Sequence, residues 1–119
     1  LERSHRGHTV ADVVRAVEII TGEGLLPIVD FILGLPGETA DHRRETLALM
    51  ERLVARGAQV HGHAFMPLPG TPFGQALPAA IDEETRRFML RLDGTGRQIG
   101  KWREQAERAR DVARFLDEN

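Results

Sequence analysis

Apolar residues recur at helical spacing at Val10, Val13, Val14, Val17 and Ile20, and Thr9 followed three residues later by Asp12 has the spacing of a capping box. An amphipathic helix is expected here, closed by Gly22 and Gly24. From Leu25 to Leu35 the pattern becomes a dense apolar run broken only by Pro27, Asp30 and Gly34, which predicts a strand buried on both faces and hence a parallel sheet. Thr39 can cap a second helix whose Leu47, Met50, Leu53 and Val54 form one stripe and whose stop is Gly57. The segment Gln59 to Met66 reads as a second strand. Four prolines (Pro67, Pro69, Pro72, Pro78) then mark a loop leading to Asp82, a good N-cap.

The last stretch carries a seam of Phe88, Leu92, Thr95, Ile99, Trp102, Ala106, Ala109, Ala113 and Leu116, with spacings that alternate between four and three. Its register persists across Asp93-Gly94-Thr95-Gly96, which predicts one helix from Glu83 to Asp117, on the order of 50 Å long at 1.5 Å per residue. Each glycine inside a helix costs about 1 kcal/mol relative to alanine, so Gly94, Gly96 and Gly100 are where a kink or a close helix approach is to be expected if the helix is not continuous.

Helix, strand, helix, strand, helix with short connections is the order of βα units in a parallel sheet, so the expected fold class is α/β. Leu35-Pro36-Gly37-Glu38-Thr39 closes the first strand and Leu68-Pro69-Gly70-Thr71-Pro72 the second, an offset of 33 residues that suits one repeated strand–helix unit. Two strands are too few for a stable sheet, and both edges of each need partners. The expected division is residues 1–81 for the βα units and 82–119 for a long helical extension that packs on something larger or on another copy of the chain. A start at Leu1 without methionine adds to the reading of the chain as a fragment.

Composition narrows the chemistry. None of the 119 residues is cysteine, so this chain alone offers no disulfide, thiolate zinc site, catalytic thiol or ligand for an iron–sulfur cluster. Sixteen basic against 18 acidic side chains, net −2, make no electrostatic case for nucleic acid or an anionic membrane. No apolar run approaches the roughly 20 residues of a bilayer span and no signal pattern opens the chain, so a cytoplasmic location is expected.

Ligands of parallel βα units gather at the carboxyl ends of the strands, where both Leu-Pro-Gly motifs sit. Gly34 and Gly37 allow close backbone approach, and the alternative reading of the motif is simply a well-made turn and cap. Asp30 interrupts an apolar strand, and a buried carboxylate must be hydrogen-bonded or paired; a structural role is preferred over contact with substrate or cofactor. Glu38 lies where a helix N-terminus favours negative charge. His61 and His63, two apart on a strand, share a face and could offer two imidazoles to a metal. His5, His8 and His42 lie in other segments and no third ligand is evident, so the two histidines are read as filling a half-buried face and no metal ligand is assigned. No nucleophile elbow or phosphate-binding loop occurs, and Asp93-Gly94-Thr95-Gly96 is too short for a dinucleotide fingerprint.

The stretch Val29-Asp30-Phe31-Ile32-Leu33-Gly34-Leu35-Pro36-Gly37-Glu38-Thr39, followed by His63-Ala64-Phe65-Met66-Pro67-Leu68-Pro69-Gly70-Thr71-Pro72, resembles the fifth and sixth strands of radical S-adenosylmethionine enzymes. Arg6-Gly7-His8-Thr9 resembles the opening of that family's fourth helix, and Trp102 with Gln105 resembles the tail of members that carry an upstream cobalamin-binding domain. The resemblance implies the C-terminal portion of a partial (β/α) TIM-like barrel. A three-cysteine motif elsewhere in such proteins holds a 4Fe–4S cluster that cleaves S-adenosylmethionine reductively, so this chain is expected to be inactive alone and to need the missing N-terminal half of the barrel as its partner.

The same resemblance gives this chain the adenosine side of the cofactor site. Ile32 matches the aliphatic position that packs on adenine, with Leu33 the alternative, Gly34 gives backbone clearance, and the backbone of Phe65, Met66 and Pro67 matches the groups that read the adenine edge. Cobalamin is a further cofactor that the upstream-domain members imply. Glu38 is implied to be structural at the barrel mouth, and no catalytic residue is assigned. The competing class is a non-catalytic interaction module that forms a homo-oligomer or docks through its C-terminal helix, a reading that rests on the seam and the incomplete sheet.

Overall fold

A computed structural model describes residues 9–66 and 80–118. The element order is α1 (Val10–Gly22), β1 (Ile28–Leu33), α2 (Ala40–Ala55), β2 (Gln59–Ala64), α3 (Glu83–Gly94) and α4 (Trp102–Glu118). The α/β class holds: two parallel strands flanked by helices in an unclosed sheet, with a long helix at the C-terminal end. The second Leu-Pro-Gly motif, Pro67 to Pro78 and the opening through His8 lie outside the described residues.

The helix boundaries follow local chemistry. Thr9 accepts a hydrogen bond from Asp12 N–H at 3.1 Å while Asp12 accepts one from Thr9 N–H at 3.0 Å, completing the capping box of α1. Thr39 caps α2 through His42 N–H, and Asp82 caps α3 through Thr85 N–H. At the end of α2 the chain reverses through Gly57, at φ +100°, a backbone state that disfavours any Cβ.

Ile28 pairs with Gln59 and Leu33 with Ala64, so paired residues share a face. Val29, Phe31 and Leu33 meet the helices. One cluster joins Leu33, Leu47, Met50, Val60, Phe88, Met89, Leu92 and Trp102; a second joins Val14, Val17, Leu53 and Ala58, and Phe31 packs against both. Met50, Leu53 and Met89 are fully buried, each a contribution of about 1.5–3 kcal/mol relative to exposure. The opposite face, with Ile28, Asp30 and Ile32 of β1, is open. The strand is therefore buried on one face by this chain, not on both as its apolar run suggests.

The terminal region departs from the single helix expected over Glu83 to Asp117. Thr95 caps α3, Gly96 adopts φ +74°, and a non-helical link follows before α4 begins at Trp102. The link has a use: Val60 N–H donates to Arg97 C=O at 2.8 Å and Ile99 N–H to Val60 C=O at 3.0 Å, a parallel bridge on the outer edge of β2. The seam is accordingly divided, with Phe88 and Leu92 buried by α3, Trp102 and Ala109 by α4, and Thr95 and Ile99 exposed between them. Leu116 of the seam lies outside the described side chains.

Side chains complete that edge. Gly62 N–H donates to Gln98 Oε1 and Ala64 N–H to Gln105 Oε1, each at 2.9 Å. Every outward N–H of β2 from Val60 to Ala64 thus has a partner from this chain, contrary to the expectation that both sheet edges lack one. The edge of β1 is different. Gln59 N–H donates to Pro27 C=O and Phe65 N–H to Leu33 C=O, so Ile28, Asp30 and Ile32 turn their backbone groups away from β2, and no described strand pairs with them.

Candidate functional site

The carboxyl ends of β1 and β2 bring Leu33, Gly34, Ala64 and Phe65 side by side, tied by the 2.8 Å hydrogen bond from Phe65 N–H to Leu33 C=O. Gly34 is buried with φ +76°, so the chain turns there where an L side chain is strained. A cavity of about 390 Å³ opens beside these residues, between the strand ends and Ala106, Ala109 and Arg110 of α4. That volume is in the range of small-molecule sites, on the order of 300–1,000 Å³.

Of the residues singled out from sequence, Gly34 and Phe65 line this cavity and Ile32 does not. Ile32 stands on the open face, 50% exposed, whereas Leu33, its alternative, is 4% exposed and belongs to the core. The half-buried Met66 follows Phe65. Pro67 lies outside the described residues. The geometry therefore separates two surfaces at the strand ends: an aliphatic open face at Ile32, and a cavity on the α4 side of the sheet.

Glu38 flanks the end of β1 on the helix side. Burial pushes its carboxyl above the ordinary value of 4.5, opposed by Arg43, reinforced by Asp82 and opposed again by His42. Arg43 meets Asp82, the cap of α3, at 3.6 Å. These contacts join the N-terminal ends of α2 and α3, in keeping with a structural role for Glu38. Trp102 and Gln105 also have structural partners: the indole N–H donates to Asp93 Oδ2 at 3.1 Å, and Gln105 completes the edge of β2.

On the open face the strand pairing assembles what sequence spacing left apart. Asp30 is the register partner of His61. Its Oδ1 lies 2.9 Å from His61 Nδ1 and 3.5 Å from His63 Nε2, and the two imidazole rings stand 4.2 Å apart. Asp30 is thus not buried; its carboxylate is paired with two histidines at the surface. Counting along the chain joined His61 to His63 alone. The missing signal was the sheet register, which makes Asp30 their neighbour across 31 residues.

No protein-family model and no solved structure matches the chain. Among curated proteins it is 34% identical over 94 residues to an uncharacterized protein of Methanopyrus kandleri, covering 78% of this chain and 18% of that protein. It is 33% identical over 98 residues to the tRNA-2-methylthio-N(6)-dimethylallyladenosine synthase of Halorhodospira halophila, covering 77% of this chain and 20% of that enzyme. The enzyme of the same name from Neorickettsia sennetsu is 35% identical over 92 residues, covering 76% and 19%. The chain spans about a fifth of the length of these relatives. The homology supports kinship with radical S-adenosylmethionine enzymes, and the absence of cysteine leaves this segment without cluster ligands. No helix among the described residues is long and apolar enough to cross a membrane.

Proposed function

We propose that this chain is a two-strand section of a partial (β/α) barrel in a radical S-adenosylmethionine protein, and that it supplies the adenosine side of the cofactor site. The observation that carries the reading is the asymmetry of the sheet. Arg97, Gln98 and Gln105 close the outer edge of β2, while β1 keeps an unpaired edge among the described residues and an open face bearing Ile28 and Ile32. A sheet built in this way extends from β1 alone, and further strands would cover the apolar open face.

The residues present suit an adenosine moiety. Ile32 offers an accessible aliphatic surface to a purine ring, Gly34 at the strand end has no Cβ to hold it off, and the backbone of Phe65 and Met66 ends the neighbouring strand where a base edge would lie. The cluster that supplies electrons for cleavage of the cofactor would be held by cysteines outside this segment. Cobalamin would be a further cofactor of the whole protein, bound by an upstream domain; Trp102 and Gln105, the residues behind that idea, have structural partners of their own here. The tRNA substrate in the relatives' names is not carried over, because this segment has net charge −2 and makes no electrostatic case for a polyanion.

The test is full-length protein reconstituted with iron and sulfide and supplied with S-adenosylmethionine and a reductant. Reductant-dependent 5′-deoxyadenosine is expected. A fully assembled cluster that yields none overturns the reading. The interaction-module alternative has less to stand on, since Trp102 and Ala109 of the α4 seam are buried within this chain.

A further inference from the structure

We infer that Asp30, His61 and His63 form a binding site for a divalent transition-metal ion on the open face of the sheet. One ligand atom from each lies within 4.8 Å of the other two. A metal with nitrogen and oxygen ligands at about 2.0–2.2 Å holds neighbouring ligand atoms roughly 3–3.5 Å apart. The two separations to Asp30 Oδ1, 2.9 and 3.5 Å, already bracket that span. The ligand atoms of the two histidines lie within 4.8 Å of each other.

Three further features favour a metal over a simple ion pair. The ligands are fixed by strand geometry: His61 and His63 point the same way on β2, and the register sets Asp30 directly opposite His61. In this chain all three are accessible, with His61 and His63 side chains 38% and 35% exposed and Asp30 71%, so an ion can enter and keep open positions for water or an anionic ligand. Two imidazoles with one carboxylate are a donor set for zinc, iron(II) or cobalt(II), and the carboxylate offsets part of the ion's charge. Calcium and magnesium, which take mainly oxygen ligands, are disfavoured.

The site lies one pleat from Ile32, on the same face, and does not depend on whether adenosine binds there. Its test uses the full chain, stripped of metal with a chelator and checked for fold by circular dichroism, then titrated with Co²⁺ while visible absorption is followed. One equivalent is expected to give saturable d–d bands that Zn²⁺ displaces. Losing a ligand should weaken binding at least about tenfold, since loss of a mere outer-shell partner already costs 10–100-fold; this is expected of His61→Ala, His63→Ala and Asp30→Asn alike. Zn²⁺ should also shift the imidazole NMR signals of both histidines. Absence of a saturable equivalent, or affinity unchanged in any one of the three variants, overturns the site and leaves a hydrogen-bonded carboxylate–imidazole cluster.

Discussion

Gly62 and Gly100 are where the fold tolerates least. A Cβ on Gly100 would stand 2.0 Å from Gly62 C=O, and one on Gly62 would stand 2.7 Å from Met89 Cε. Backbone cannot yield as a flexible side chain can, so Gly100→Ala is expected to destabilise by about 1–3 kcal/mol in urea unfolding. Gly94, at the end of α3 with open space around it, is the control: Gly94→Ala should be neutral or stabilising by up to about 1 kcal/mol. Glu38 provides a pH-dependent prediction at the same scale. Its folded pKa is raised by burial, so the folded state holds a proton that the unfolded state has released, and stability falls as pH rises from the ordinary carboxylate value to the folded one. Glu38→Gln should match wild type below that window and exceed it above, in urea titrations from about pH 4 to about pH 7. A wild-type advantage that grows with pH would contradict the assignment. Gly94 and Gly100 were legible in sequence only as helix interruptions and Gly62 carried no signal; the close approach of Gly62 and Gly100 joins residues 38 positions apart.

Among the elements, local signals were the readable ones. Thr9 with Asp12, Thr39 and Asp82 marked three helix starts, because a cap is made within three residues of the hydroxyl or carboxylate that supplies it. The break between α3 and α4 was not readable in the same way. The 4,3 seam runs through it, and what overrides the seam is non-local: Val60 needs a backbone partner for its outward N–H, and Arg97 provides one. Gln98 then fills the next position on the edge, its side-chain oxygen accepting a hydrogen bond from Gly62 N–H. Gln98→Ala is expected to leave that buried N–H without its partner, at a cost of about 1–3 kcal/mol, and to speed hydrogen exchange at Gly62. Unchanged exchange at Gly62 would mean that the side chain does not close the edge. Asp30 belongs to this scale too: as an isolated residue it read as a carboxylate needing a structural partner, and only the strand pairing supplies two histidines.

For the whole molecule, the decisive property is a sheet finished on one side and unfinished on the other. Amides of Val60, Gly62 and Ala64 should exchange slowly in the 119-residue chain and in the full-length protein alike, since their acceptors are internal. Amides of Ile28, Asp30 and Ile32 should exchange fast in the chain by itself and slowly in the full-length protein, where a neighbouring strand would accept them. Equal, fast exchange in both would remove the barrel. The most direct measurement of the central claim is the affinity of reconstituted full-length protein for S-adenosylmethionine, with Ile32→Asp and Gly34→Val compared with wild type. Loss of an apolar contact worth about 1.5–3 kcal/mol predicts binding weakened by roughly 10–100-fold, with the iron–sulfur chromophore unchanged; wild-type affinity in both variants would contradict it.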